Sequence, residues 1–469
     1  MASWKVERTG AGTLKDGEDE HRRLSKIQAL AAFSPDALAS IGYADQEIYL
    51  GLVIAGSLGL VYALPIALAI TGLLAVLALS YYQIVQKYPS GGGSYEVART
   101  TLGTVPGLMA AAALIVNYLL NVAVSLTTGV DAIASAFPEL WSYRVILSLL
   151  LLGAITLLNL RGMRESGIVM AIPVYLFLFA YLPMLGYGGV RLSLEGPGSL
   201  TASAPPAVQP LTLVLLLHTF STGCTAMTGI EAISNGVPSF RPPETKNAGQ
   251  TMIIMALLMG TLFLGSIGLV QYLAVVAGPQ ETILSALARR LLGSGPLYLI
   301  IQVSTMILLT VGANTSFAGL PRLMSVMAGD GFLPKRLMKL NSRSVFSNGI
   351  LLLAGSAMVL IVVFSGSSHA LIPLFAVGVF LAWTLSQVGM VIHWRRERSK
   401  GWKPKAIVNA VGALATGVTF VIVGASKFLD GAWIALLLIP MLVVLFLQVH
   451  GRGREASDAY RGNPTDQTA

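Results

Sequence analysis

Apolar positions along this chain gather into runs near the ~20 residues that a helix needs to cross a hydrocarbon core, separated by short polar or Gly/Pro-bearing joints. Twelve such runs predict twelve helices, at residues 27–53, 62–86, 106–135, 143–160, 166–188, 209–236, 250–276, 296–320, 347–365, 369–394, 405–425 and 430–449. The runs are too long and too uniformly apolar for the alternating strands of a barrel, so the pattern predicts an all-α membrane bundle. Residues 1–26 and 450–469 are polar and read as tails. The first tail carries Lys5, Arg8, Lys15, Arg22 and Arg23 and lacks the apolar core of a cleaved signal peptide.

Two runs break the pattern. AAFSPDALASIGYADQE, residues 31–47, places Pro35 and Asp36 inside the first. A carboxylate at bilayer depth costs about 3 kcal/mol on insertion scales and proline removes a backbone hydrogen bond, so both must face protein or water. HTFSTGCTAMTGIEAISNG, residues 218–236, interrupts the sixth run with Gly223 and Gly229 and crowds hydroxyls and Glu231 into it. Two polar, interrupted helices five segments apart predict paired inverted five-helix units, residues 27–188 and 209–394, with a solute held between the broken helices. Residues 405–449 then form two peripheral helices. No residue-level repeat is visible, so this division rests on segment order.

Composition agrees: 469 residues, 54% hydrophobic and only 11% charged, with mean hydropathy +0.72. Placing both termini inside leaves 26 of 31 Lys and Arg on that side, with Arg144, Arg191, Arg289, Arg290 and Lys427 outside. The +9 net charge is therefore a topology signal, not a nucleic-acid footprint; RRERSKGWKPK, 395–405, sits where anionic headgroups would meet it. The lone Cys224 cannot close an intramolecular disulfide. SGGGSYE, 90–96, lacks the GK[ST] ending of a phosphate loop, and its glycines read as a tight re-entry beside the third span. With no HExxH, Cys/His cluster or nucleophile elbow, an enzyme is not expected.

SPDALASIGYADQE, PSGGGSYEVARTTLG (89–103), TGIEAISNGVPSFRPPETKNAG (228–249), GANTSFAGLPRLMSVMAGDGFLP (312–334) and LIPLFAVGVFLAWTLSQVGM (371–390) together resemble the amino acid-polyamine-organocation superfamily. More closely, the chain is similar to its KimA-type potassium uptake branch. The resemblance implies a LeuT-like fold of ten core helices plus two, in the cell membrane, acting as a proton-coupled importer that carries potassium and protons without a cofactor. It also implies ion-site residues: Asp36 and Tyr43 of helix one, Ser125 of helix three, and Thr228 and Glu231 of helix six stand at matching positions. A monovalent cation is expected at Asp36, Thr228 and Ser125, and proton coupling at Glu231 and Asp36. Three positions depart from the branch: an Asp becomes Asn117, a Thr becomes Asn121, and a Tyr becomes Phe375.

Two carboxylates with no Lys or Arg in a nearby core helix favour a cation, or an amine that brings its own charge. Asn117 and Asn121, four apart on one helix face, suit either a cation or a hydrogen-bonded amino acid. A proton-coupled amino acid or amine permease therefore remains as the alternative, and the expected partners are a small cationic or zwitterionic solute and membrane lipid. Thr315 and Ser316 stand where LeuT-like symporters place sodium ligands. His218 reads as a packed helix residue. KimA-type proteins continue into a dimerising cytoplasmic domain; with only residues 450–469 after the last span, a monomer is expected.

Overall fold

A computed structural model of the chain describes residues 23–461, apart from residues 90, 92, 163–166 and 339–345. The expected features at residues 1–22 and 462–469, and Ser90 and Gly92 of the glycine loop, lie outside the described residues. Those described are almost all helical: α1 Lys26–Phe33, α2 Pro35–Val53, α3 Ala63–Lys87, α4 Gly93–Leu102, α5 Thr104–Ala136, α6 Arg144–Leu160, α7 Gly167–Glu195, α8 Leu213–Gly223, α9 Glu231–Asn235, α10 Glu244–Tyr272, α11 Ile283–Leu292, α12 Pro296–Gly329, α13 Ser347–Val363, α14 Ser368–Glu397, α15 Trp402–Ser426 and α16 Trp433–Arg461.

Ten helical stretches among the described residues are long and apolar enough to cross a membrane. Two of the twelve predicted spans fall short of that standard, each for a local reason. The first is cut into α1 and α2 and carries Asp36, Asp45 and Glu47; the ninth, α13, has 17 residues. Two further helices, α4 and α11, were not among the predicted spans; each has 10 residues, most of them buried. The final helix runs to Arg461, beyond the predicted boundary at 449, because a polar but helix-compatible sequence continues it.

Burial sorts the bundle. α5 and α14 are enclosed along most of their most apolar stretch, 83% and 78%, against 17% for the segment containing α6, 33% for α15 and 28% for α16. The centre is therefore built by α5 and α14 with the broken helices, while α6, α15 and α16 present Ile146, Leu414, Leu437 and similar side chains outward as lipid would require.

Contacts gather the described chain ends on one face. Leu24 pairs with Ser239–Arg241 (Leu24 N to Ser239 O 2.8 Å, Arg241 N to Leu24 O 3.0 Å), and Arg23 pairs with Glu244. α1 starts there in a capping box, Ser25 and Gln28 serving each other's backbone N–H. Gly93 packs on Asn235, Asp330 accepts from Tyr95 Oη at 2.7 Å and from Arg99, and Phe332 stacks on His450 at 4.6 Å. Tyr95, on α4 outside the spans, has its phenol held well above its ordinary range, by burial first and then by its bond to Asp330.

Candidate functional site

Both predicted helix breaks are present. Between α1 and α2, Ser34 keeps its bond to Leu30 O (2.9 Å) and Leu38 N reaches Ser34 O (2.8 Å), but Pro35 has no N–H to give to the preceding turn. In the sixth segment α8 ends at Gly223, a short 3-10 turn follows, Thr228 is extended (φ −65°, ψ 155°), Gly229 turns left-handed at φ +84°, and α9 begins at Glu231. Gly229 is required here twice over. Its φ suits a residue without Cβ, and a Cβ would lie 2.5 Å from Ala37 N and 2.9 Å from Ala37 Cα. The two breaks thus touch backbone to backbone. Ser40 ties them again, its Oγ lying 2.7 Å from Ala37 O and 2.8 Å from Ala226 O.

Periodicity brings the side chains in. Ser40 and Tyr43 follow Asp36 at four and seven residues, close to one face of α2. Asn117, Asn121 and Ser125 form an i, i+4, i+8 stripe on α5. All are buried, as are Thr228, Glu231, Ser316 and Phe375. Thr228 Oγ1 donates to Thr225 O at 2.9 Å, which leaves Tyr43 as the donor in its 2.7 Å bond to Thr228 Oγ1. Asn117 Nδ2 donates to Glu231 Oε1 at 3.4 Å. Asn121 Nδ2 donates to Ser316 Oγ at 3.0 Å and its Oδ1 accepts from Ser125 at 3.2 Å. Phe375 packs edge-on against Tyr43 with ring centres 6.2 Å apart. Asp36, Tyr43, Asn117, Asn121, Ser125, Thr228, Glu231 and Phe375 enter this one cluster together with Ser316, drawn from five segments.

The cluster is electronegative. Asp36 and Glu231 lie within electrostatic reach of each other, and among the described residues no Lys, Arg or His faces either. Asp36 Oδ1, Glu231 Oε2 and Asn117 Oδ1 are buried without a hydrogen-bond partner. Such acceptors are costly to leave unpaired, so the arrangement suits a positively charged ligand.

The structure separates Thr315 from Ser316. Thr315 is half-buried and donates to Gly312 O in its own helix at 2.7 Å, while Ser316 belongs to the central cluster through Asn121. His218 lies outside the cluster, 3.9 Å from Asp430. The SGGGSYE glycines do permit a close approach: a Cβ on Gly91 would lie 2.8 Å from Asn235 O. α4 packs on α5 as well, since a Cβ on Gly107 would meet Arg99 Cβ at 2.7 Å.

One polar feature outside the cluster does not follow from the sequence reading. Glu47 shares the Asp36 and Tyr43 face of α2 one turn beyond Tyr43, and lines a cavity of about 360 Å³ with His218, His369 and Lys427. His369 Nδ1 lies 2.6 Å from Glu47 Oε1, and Lys427 is buried 3.6 Å from Asp430. These residues come from distant parts of the chain, and only the period that places Glu47 above Tyr43 hinted at them.

The family model for amino acid permeases matches residues 30–446. Potassium transporter KimA of Bacillus subtilis (strain 168) is 40% identical over 439 residues, covering 93% of this chain and 72% of the relative. The chain belongs to the amino acid permease family, in its KimA-type branch. Low-affinity putrescine importer PlaP of Escherichia coli (strain K12) is 26% identical over 275 residues, 56% of this chain and 59% of that protein. Probable potassium transport system protein Kup of Vibrio cholerae serotype O1 is 24% identical over 358 residues, 74% and 55% respectively. This permease is an integral membrane transporter and not an enzyme, and its all-helical architecture accords with the LeuT-like fold of the family.

Proposed function

We propose that this permease imports potassium across the cell membrane in symport with protons, by alternating access to the cluster around Asp36 and Glu231. The observation that carries the reading is the convergence of three buried, unpaired acceptors, Asp36 Oδ1, Glu231 Oε2 and Asn117 Oδ1, with no basic side chain facing either acid among the described residues. The name of its KimA relative supports potassium as the cargo. Tyr43, Thr228 and Ser125 would complete an oxygen cage, and the two backbone breaks let one helical unit of residues 27–188 and 209–394 rock against the other. Expression in a bacterium lacking its own potassium uptake systems is expected to restore growth at limiting potassium; absence of rescue despite good membrane expression contradicts the reading.

Glu231 is the proposed proton carrier, because it sits at the break of the sixth segment and shares Asn117 with the cation cluster. Glu231→Gln is expected to keep downhill potassium flux yet lose accumulation driven by an inward proton gradient. A variant that still concentrates potassium in response to that gradient removes Glu231 from the role.

A second reading, import of an amine, is favoured by the Asn117 and Asn121 amides and by the apolar Phe375 beside Tyr43; PlaP, a putrescine importer by name, is also a relative. Thermal-shift comparison of potassium with amines and amino acids separates the two, because a ligand of the folded state raises its stability.

A further inference from the structure

Nine residues after Asp36 the same helix carries a second buried acid, Asp45. Nine residues are two and a half turns, which places it about 13 Å further along α2 and on the opposite face. Asp45 therefore looks away from the central cluster, toward α7 and α10. It is fully buried, and both of its carboxyl oxygens lack a hydrogen-bond partner. Tyr181 of α7 and Ser266 of α10 are the polar side chains that face it. Both are also fully buried, the Tyr181 hydroxyl is itself unpartnered, and Ser266 Oγ lies 2.8 Å from Leu262 O in its own helix.

We propose that Asp45, Tyr181 and Ser266 form a second intramembrane proton-binding site, separate from the Asp36 and Glu231 cluster. Asp45 has no protein counter-charge: Tyr181 is the titratable group that faces it, and no Lys, Arg or His does so among the described residues. A carboxylate so placed must be neutralised by something it binds. A proton fits the surroundings better than an alkali ion. Among the described residues two side-chain hydroxyls face the carboxyl, and Ser266 is spent on its own helix, which is a poor replacement for a hydration shell. A proton needs only one acceptor on the carboxyl, after which the acid can donate to Tyr181 or Ser266 as side chains rotate. Because the three groups sit on three helices, gain or loss of that proton changes how α2 seats against α7 and α10. The site stands independently of the potassium reading.

The test is infrared titration of the protonated-carboxyl C=O stretch in purified full-length protein reconstituted in lipid, with Asp36→Asn and Glu231→Gln present to silence the central acids. This background is expected to retain a titrating band that disappears on adding Asp45→Asn, and that shifts in frequency on adding Tyr181→Phe, which removes a hydroxyl partner but no acid. Identical spectra with and without Asp45→Asn overturn the proposal. Loss of the band on adding potassium or sodium at constant pH also overturns it, by making the ligand an alkali ion. Should Asp45→Asn fail to fold, the Tyr181→Phe arm decides: an unchanged band is the contradicting result.

Discussion

Asp36→Asn is expected to abolish potassium accumulation and to weaken apparent potassium affinity at least ~100-fold, while the protein still inserts and purifies as the wild type does. A cation 4 Å from a carboxylate gains about 4 kcal/mol at an effective dielectric of ~20, near three powers of ten in affinity. An asparagine oxygen recovers part of this through its dipole, hence the smaller figure. Folding is spared because Asp36 Oδ1 has no protein partner to lose and the substitution keeps the shape of the side chain. Uptake kinetics read the effect directly, and a variant with unchanged affinity takes Asp36 out of the site.

Gly229→Ala is expected to be as damaging by a different route. A non-glycine residue at φ +84° costs about 1–2 kcal/mol, and the new methyl would stand 2.5 Å from the main-chain nitrogen of Ala37, which cannot rotate aside. Overpacking of this kind costs about 1–3 kcal/mol more. The two breaks must then separate, carrying Thr228 away from Tyr43 and Glu231 away from Asp36. Transport is expected to be lost and thermal stability to fall. Gly153→Ala on α6, where a Cβ meets nothing within 4 Å, is the matched control and should behave as wild type. Near-normal uptake by Gly229→Ala would show that the close contact of the breaks is dispensable.

The centre of the site was legible because lipid makes polarity expensive. Pro35, Asp36, Gly229 and Glu231 announce themselves in an apolar sequence, and the i, i+4, i+8 stripe on α5 follows from helical period alone. The same logic located both breaks, though not how lightly the first is broken, with the hydrogen bonds of Ser34 and Leu38 surviving across it. Thr315 shows a limit of another kind: whether a hydroxyl serves its own helix or a neighbour is decided by one rotamer, which the sequence does not encode. The cavity beside Glu47 was hidden because Glu47, His369 and Lys427 meet only through tertiary packing. Asp45 is hidden for the same reason, since its neighbours Tyr181 and Ser266 lie in helices whose sequences show no polar cluster. The short helices α4 and α11 escaped because ten residues give too few turns for an apolar period to stand out from a loop.

Potassium flux into proteoliposomes that contain only this protein tests the central claim most directly. Saturable uptake, accelerated by an inward proton gradient and lost in Asp36→Asn, is the result that a carboxylate-lined potassium site predicts. Flux no greater than that of protein-free vesicles, under conditions where an amine is carried, would contradict it.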